Sequence, residues 1–286
     1  MAETGAGAEP DAFAGRMAPL RQGLRAYGLI AAMWVRSTLA YRASFALMVT
    51  GNLLVSGLEF VSVTIMFSHV DVLAGFTYAE VAFLYGTTTT AFGIADLLLG
   101  SLQRIGGRVR DGTVDTLLVR PAPVLAQAAA DRFAPRRVGR VVQGLGVLLW
   151  SLTRVEVDWT PGRAALVVVM VLGGSAIFGA LLVAGAAFQF WAQDASEVQN
   201  AFTYGGNVLL QYPPAVFARE LVRGVTFVVP LAFVNWLPAL RVLGRDDPLG
   251  LPGWVDLASP AVALVCCALA GAAWRAGLRG YRSTGS

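Results

Sequence analysis

Two carboxylates lie inside stretches that are otherwise apolar enough to cross a bilayer: Glu59 in "SGLEFVSVTIMF" and Asp96 in "GIADLLLG". An acid near the centre of a membrane helix costs around 2.5–3.5 kcal/mol on insertion scales, so each should face other helices or water. At helical spacing Asn52, Ser56 and Ser62 join Glu59 on one face, and Gly86, Thr89, Gly93 and Gly100 join Asp96 on another. A carboxylate on such a face can tie helices together, or it can line a path for a cationic or polar solute with Asn52 and Thr89 beside it. With both acids in use the chain would be a secondary transporter or channel. They form no direct dyad, because about nine residues of depth at about 1.5 Å each separate them along their spans. The small residues around Asp96 let another helix approach closely.

A second constellation is "DGTVDTLLVRPAP", residues 111–123, set between apolar stretches. Asp111 or Thr113 can cap a short helix on which Val114, Leu117 and Leu118 share one face. Pro121 ends it by forbidding helical geometry at Arg120. Such a helix suits docking into a groove on a soluble partner, and it equally suits lying on a membrane surface.

Other chemistries are excluded by what the chain lacks. All 22 basic residues are arginine, and without the lysine of a phosphate-binding P-loop the chain cannot hold ATP in that way. His69 is the one histidine, so His-rich metal sites are ruled out and an intramembrane hydrolase lacks its base. Cys266 and Cys267 are adjacent in an apolar run and read as small buried residues. The "GLG" of residues 144–146 follows no strand and is no dinucleotide fingerprint. The net charge of +4 belongs to arginines beside apolar spans, which points to lipid headgroups and topology, with no nucleic-acid partner.

The elements that must position these residues follow from composition. The 286 residues are 56% hydrophobic and 14% charged, against about a quarter charged in soluble domains. This is the signature of an all-α polytopic membrane protein. Residues 1–19 read as a disordered cytoplasmic tail with no cleavable signal, and 20–43 as an amphipathic interfacial helix. Spans are predicted near 44–68, 80–102, 138–153, 163–190 and 256–276, with a cytoplasmic coupling segment at 103–137. One further span is either 195–212, leaving the next apolar stretch as a re-entrant hairpin, or 221–240. Pro230 and Pro238 disfavour a straight helix in the latter, whereas Arg219 and Arg223 favour it. Either choice makes six transmembrane helices. Sixteen of the 22 arginines fall in 16–42, 104–140 and 275–282, which the positive-inside rule places in the cytoplasm with both termini. There is no internal repeat of the kind many secondary transporters show.

The segment "RDGTVDTLLVRPAP" resembles the stretch after the second span of type-2 permeases of ATP-binding-cassette exporters. "QYPPAVF", "VVPLAFVNWLPALRVLG" and "WRAGLRGYRSTGS" resemble an uncharacterised bacterial branch of that ABC-2 class, so the likeness covers roughly residues 20–286. It implies a permease of the bacterial cytoplasmic (inner) membrane that binds no cofactor itself. It also implies pairing with a second like permease, identical or homologous, and coupling to a separate cytoplasmic ATPase that binds ATP. The coupling helix would then comprise Gly112, Thr113, Asp115, Leu117, Leu118, Arg120 and Pro121, and "YPPAVF" would lie at the outer mouth. The missing P-loop lysine agrees with an ATPase on another polypeptide.

Overall fold

The computed structural model describes residues 9–282. Helix α1 (Glu9–Leu39) is followed by α2 (Arg42–Phe67). Residues 9–19, expected to be a loose tail, continue α1 instead: Ala12, Ala14, Arg16, Met17 and Ala18 are strong helix formers. Residues 1–8 of that tail lie outside the described residues. Further along α1, Leu24, Leu29 and Met33 are exposed and Ala31 is turned inward. Tyr27 Oη donates to the Leu98 carbonyl at 2.8 Å.

The loop after α2 carries a hairpin of two-residue strands in a chain whose other described elements are helical. Val72–Leu73 pairs antiparallel with Phe76–Thr77 around Ala74 and Gly75, both at positive φ, the mirror-image turn that suits the twist of a tight hairpin. Thr77 then caps α3 (Tyr78–Leu99): its hydroxyl accepts from the Glu80 amide while the Glu80 carboxylate accepts from the Thr77 amide at 2.8 Å. This reciprocal box satisfies two donors that the helix start would otherwise strand.

Helix α3 is the buried axis of the molecule. A 3-10 turn (Gly100–Arg104) carries it into α4 (Ile105–Arg110); α5 (Asp115–Leu118) and α6 (Val124–Ala130) follow. Helix α7 (Val138–Leu152) returns against α3, and here Gly86 of the expected small-residue stripe lets the helices approach together with Gly144 of α7, which the spacing does not single out. A methyl group on Gly86 would stand 2.6 Å from the Leu148 amide nitrogen, and one on Gly144 2.7 Å from that of Thr90. Helix α8 (Pro161–Phe188), started by Thr160 and a proline in its first turn, packs on α3 and on the last helix, α13 (Ser259–Gly280).

Between α8 and α13 the chain runs through α9 (Ser196–Asn200), a π-helical turn (Ala201–Gly205) and α10 (Gly206–Leu210). It then breaks into α11 (Arg219–Phe227) and α12 (Trp236–Leu243); with the 3-10 turn that leads into α12, the run Leu231–Leu243 stands at 81° to α11. Pro230 lies in that break; Pro238, also expected to interrupt, sits in the first turn of α12, where a proline costs little. Among the described residues four helices are long and apolar enough to cross a membrane: α2, α3 with its extension to Arg110, α8 and α13. The bent α11–α12 pair makes a fifth if it counts as one. Six are not reached on length, since α7 and the run 196–210 are shorter than the roughly 20 residues of a full crossing.

Candidate functional site

The segment expected to form an amphipathic helix is a turn followed by a single helical turn. Gly112, at φ +66°, ends α4 in a conformation that costs glycine nothing, and α5 spans only Asp115–Leu118. This corrects the expected common face. Val114 and Leu117 are buried against Leu102, Ile105, Ala128, Phe190 and Trp274. Thr113, Leu118, Val119, Arg120 and Pro121 are exposed, Val119 at 83%. Asp115 faces the Tyr281 hydroxyl, and burial together with that carboxylate pushes the Tyr281 phenol above its ordinary pKa. The segment is thus anchored by two apolar side chains and presents a small mixed apolar and basic patch.

Polar ties hold the segment, and α4 before it, to the elements around them. Gln127 donates to the carbonyls of Leu117 at 2.9 Å and Ala122 at 2.7 Å, and Gln22 of α1 donates to that of Pro121 at 2.8 Å. Arg108 pairs with Asp131 at 2.5 Å and Arg110 with Asp194 at 2.7 Å. The Gly106 amide donates to the Gln189 side chain at 2.8 Å.

The two intramembrane acids part company. Asp96 is 4% exposed; its carboxylate lies 3.2 Å from Arg137 Nε and accepts from Tyr204 Oη at 3.3 Å. Arg140 lies over the rings of Phe92 and Tyr204, 5.2 and 5.4 Å from their centroids. Gly100 makes the room: a methyl group there would collide with the Asp96 carboxylate and the Arg137 guanidinium. Asp96 thereby joins α3, the entry to α7 and the π-helical turn, which carries Tyr204. Glu59 is exposed on α2, where only Ser56 and Val63 are buried, while Asn52 is half-buried. Ser56, expected beside Glu59, turns inward, and its carbonyl accepts from Tyr85 Oη and from Gln143. Thr89 is buried and accepts from Gln211 at 3.3 Å.

Other residues emerge only in three dimensions. Asn235 donates to Thr88 Oγ1 at 2.6 Å and accepts from Thr87 at 2.8 Å, pinning the start of α12 to the middle of α3. Arg245 donates twice to Glu80, at 2.9 and 2.8 Å. The Thr-x-x-Glu spacing of residues 77–80 advertises the cap, but nothing local advertises Arg245.

Comparison with family models matches residues 53–285 to one described as "ABC-2 family transporter protein". Comparisons with curated proteins and with solved structures find no match.

Proposed function

The chain belongs to the ABC-2 transporter family, and from that premise we propose that it is the membrane-spanning permease subunit of an ATP-driven exporter. A second permease, identical or homologous, completes the path, and a separate cytoplasmic ATPase binds and hydrolyses ATP, since this chain has no lysine for a P-loop. The membrane is the bacterial cytoplasmic one, with α7 and the run 196–210 completing six crossings, α11–α12 forming the re-entrant hairpin and both termini in the cytoplasm.

The observation that carries the reading is the build of residues 111–121. Val114 and Leu117 root the segment in the permease, while Leu118, Val119 and Arg120 face outward, next to the ties described above. Closure of the ATPase pair on this patch would push it as a lever against α1, α6 and α8, and the permeases would rock to open outward. Leu118→Glu places a charge on the patch without touching the core. Co-purification of the ATPase should fall while the permease stays membrane-inserted and folded. A normal subunit ratio with normal transport sinks the coupling assignment.

The alternative, a secondary transporter or channel using Glu59 and Asp96, is weakened by the ion pair that occupies Asp96.

A further inference from the structure

The end of α1, the first turns of α2 and the loop before α7 border an open cavity of about 300 Å³, at which Arg132 and Arg136 are exposed. Three of its lining residues are arginines, Arg104, Arg132 and Arg136, and its apolar wall includes Trp34, Met48 and Phe133. Among the described residues no carboxylate lies within ion-pair distance of these three guanidinium groups, because Asp131 is held by Arg108 and Asp96 by Arg137. Arg104 lies within electrostatic range of Arg137, Arg132 and Arg136 and of one carboxylate, Asp131, which Arg108 already holds, so the cluster keeps an excess of positive charge. Arg132 holds a φ of +50°, which a non-glycine residue adopts at a cost, and Arg104 donates to its carbonyl at 3.5 Å.

The geometry points to a binding site for the phosphate headgroup of an anionic phospholipid. The phosphate would sit among Arg104, Arg132 and Arg136, with the acyl chains leaving past Trp34 and Met48. Met48 stands in the second turn of a membrane-length helix, so the apolar end of the cavity opens at acyl depth, which a free phosphate would not use. The larger cavity that shares Arg104 and Arg132 sets Asp111 and Asp131 against its three arginines, whereas no acid lines the one facing α2, which is therefore the better seat for a phosphate. Basic pockets beside membrane helices hold anionic headgroups by this combination of charge and apolar wall. The site stands whether or not the neighbouring segment docks an ATPase.

The test uses the full-length chain alone in neutral detergent, with bound lipid counted by native mass spectrometry. Phosphatidylglycerol should be retained in preference to phosphatidylcholine. Arg132→Asn, which suits the backbone at that position, and Arg136→Gln should each weaken retention about fivefold. Arg275→Gln, which removes an arginine outside the cavity, should leave retention within about twofold of wild type. Equal retention of the two lipids overturns the site. So does an equal loss in Arg275→Gln, which would mean diffuse surface attraction. Displacement of the lipid by inorganic phosphate at comparable concentration would make this a free-phosphate site and overturn the lipid assignment. Displacement by an added ATPase subunit would give the cavity to an acidic protein segment and overturn it as well.

Discussion

Neutralising Asp96 tests the structural reading of the buried charges most directly. Its side chain is 6% exposed and that of Arg137 13%, at a separation of 3.2 Å. With an effective dielectric of about 20 their attraction amounts to about 5 kcal/mol, but desolvation opposes most of it, so the pair adds little net stability. Breaking it is different, since the surviving charge is stranded at a cost of about 3–5 kcal/mol. The two single variants should not be equal. Asp96→Asn leaves Arg137 and Arg140 together with no anion, whereas Arg137→Gln leaves Asp96 the Tyr204 hydroxyl and the nearby Arg140. Asp96→Asn should therefore sit at the upper end of that range and Arg137→Gln at the lower. The double variant should lose at least about 2 kcal/mol less than the sum of the two. Melting of the full-length chain in lipid nanodiscs reads this, at about 2–4 °C per kcal/mol for a chain of this size. If Asp96→Asn melts within about 2 °C of wild type and the double variant is additive, the pair does not hold these helices, and Asp96 returns as a pathway group.

The other expectations concern packing and the open face. Leu117→Glu, unlike Leu118→Glu, buries a charge in the core beneath the patch and should cost at least about 3 kcal/mol, seen as loss of monodisperse protein on size exclusion. Gly86→Ala forces α7 away from α3 and should destabilise by about 1–3 kcal/mol in the same melting assay; an unchanged melt would mean that these helices are not in contact. Glu59→Gln should leave melting unchanged, and a loss of transport with intact assembly would place its charge in the path, while wild-type transport would retire that role.

Much of the architecture was legible because apolar length and glycine spacing are local signals. The first, second, fourth and last predicted spans correspond to α2, α3, α8 and α13, and Gly86 and Gly93 of the expected small-residue stripe lie where α3 and α7 touch, whereas nothing in the spacing marks Gly144 on the facing helix as a contact. The coupling segment shows the limit. Val114, Leu117 and Leu118 share a face only if a helix continues through them; Gly112 in the left-handed region and Pro121 leave room for a single turn, and the tertiary core then takes Val114 and Leu117. Nor could a pattern of residues announce that Gln127 caps this turn from another helix, since a lone glutamine in "VLAQAAA" looks like any polar residue on a helix.

Asp96 and Glu59 present the same one-dimensional signal, an acid on a face of small and polar residues inside an apolar run, and the insertion cost applies to both. What separates them is where an arginine from elsewhere in the chain can reach. Arg137 stands at the entry to α7, and Gly93, Gly100 and Gly144 let that helix approach α3 until the guanidinium meets the Asp96 carboxylate. Arg137 is also one of the sixteen arginines from which a cytoplasmic face is expected by the positive-inside rule, so on that expectation one residue would serve both topology and packing. Helix α2 has no such close partner along its open face, and Glu59 makes no ion pair among the described residues. A carboxylate at that depth is costly against lipid, so the open face of α2 calls for protein or water across from it. Under the proposed function, a second permease, or the path between two, would supply it.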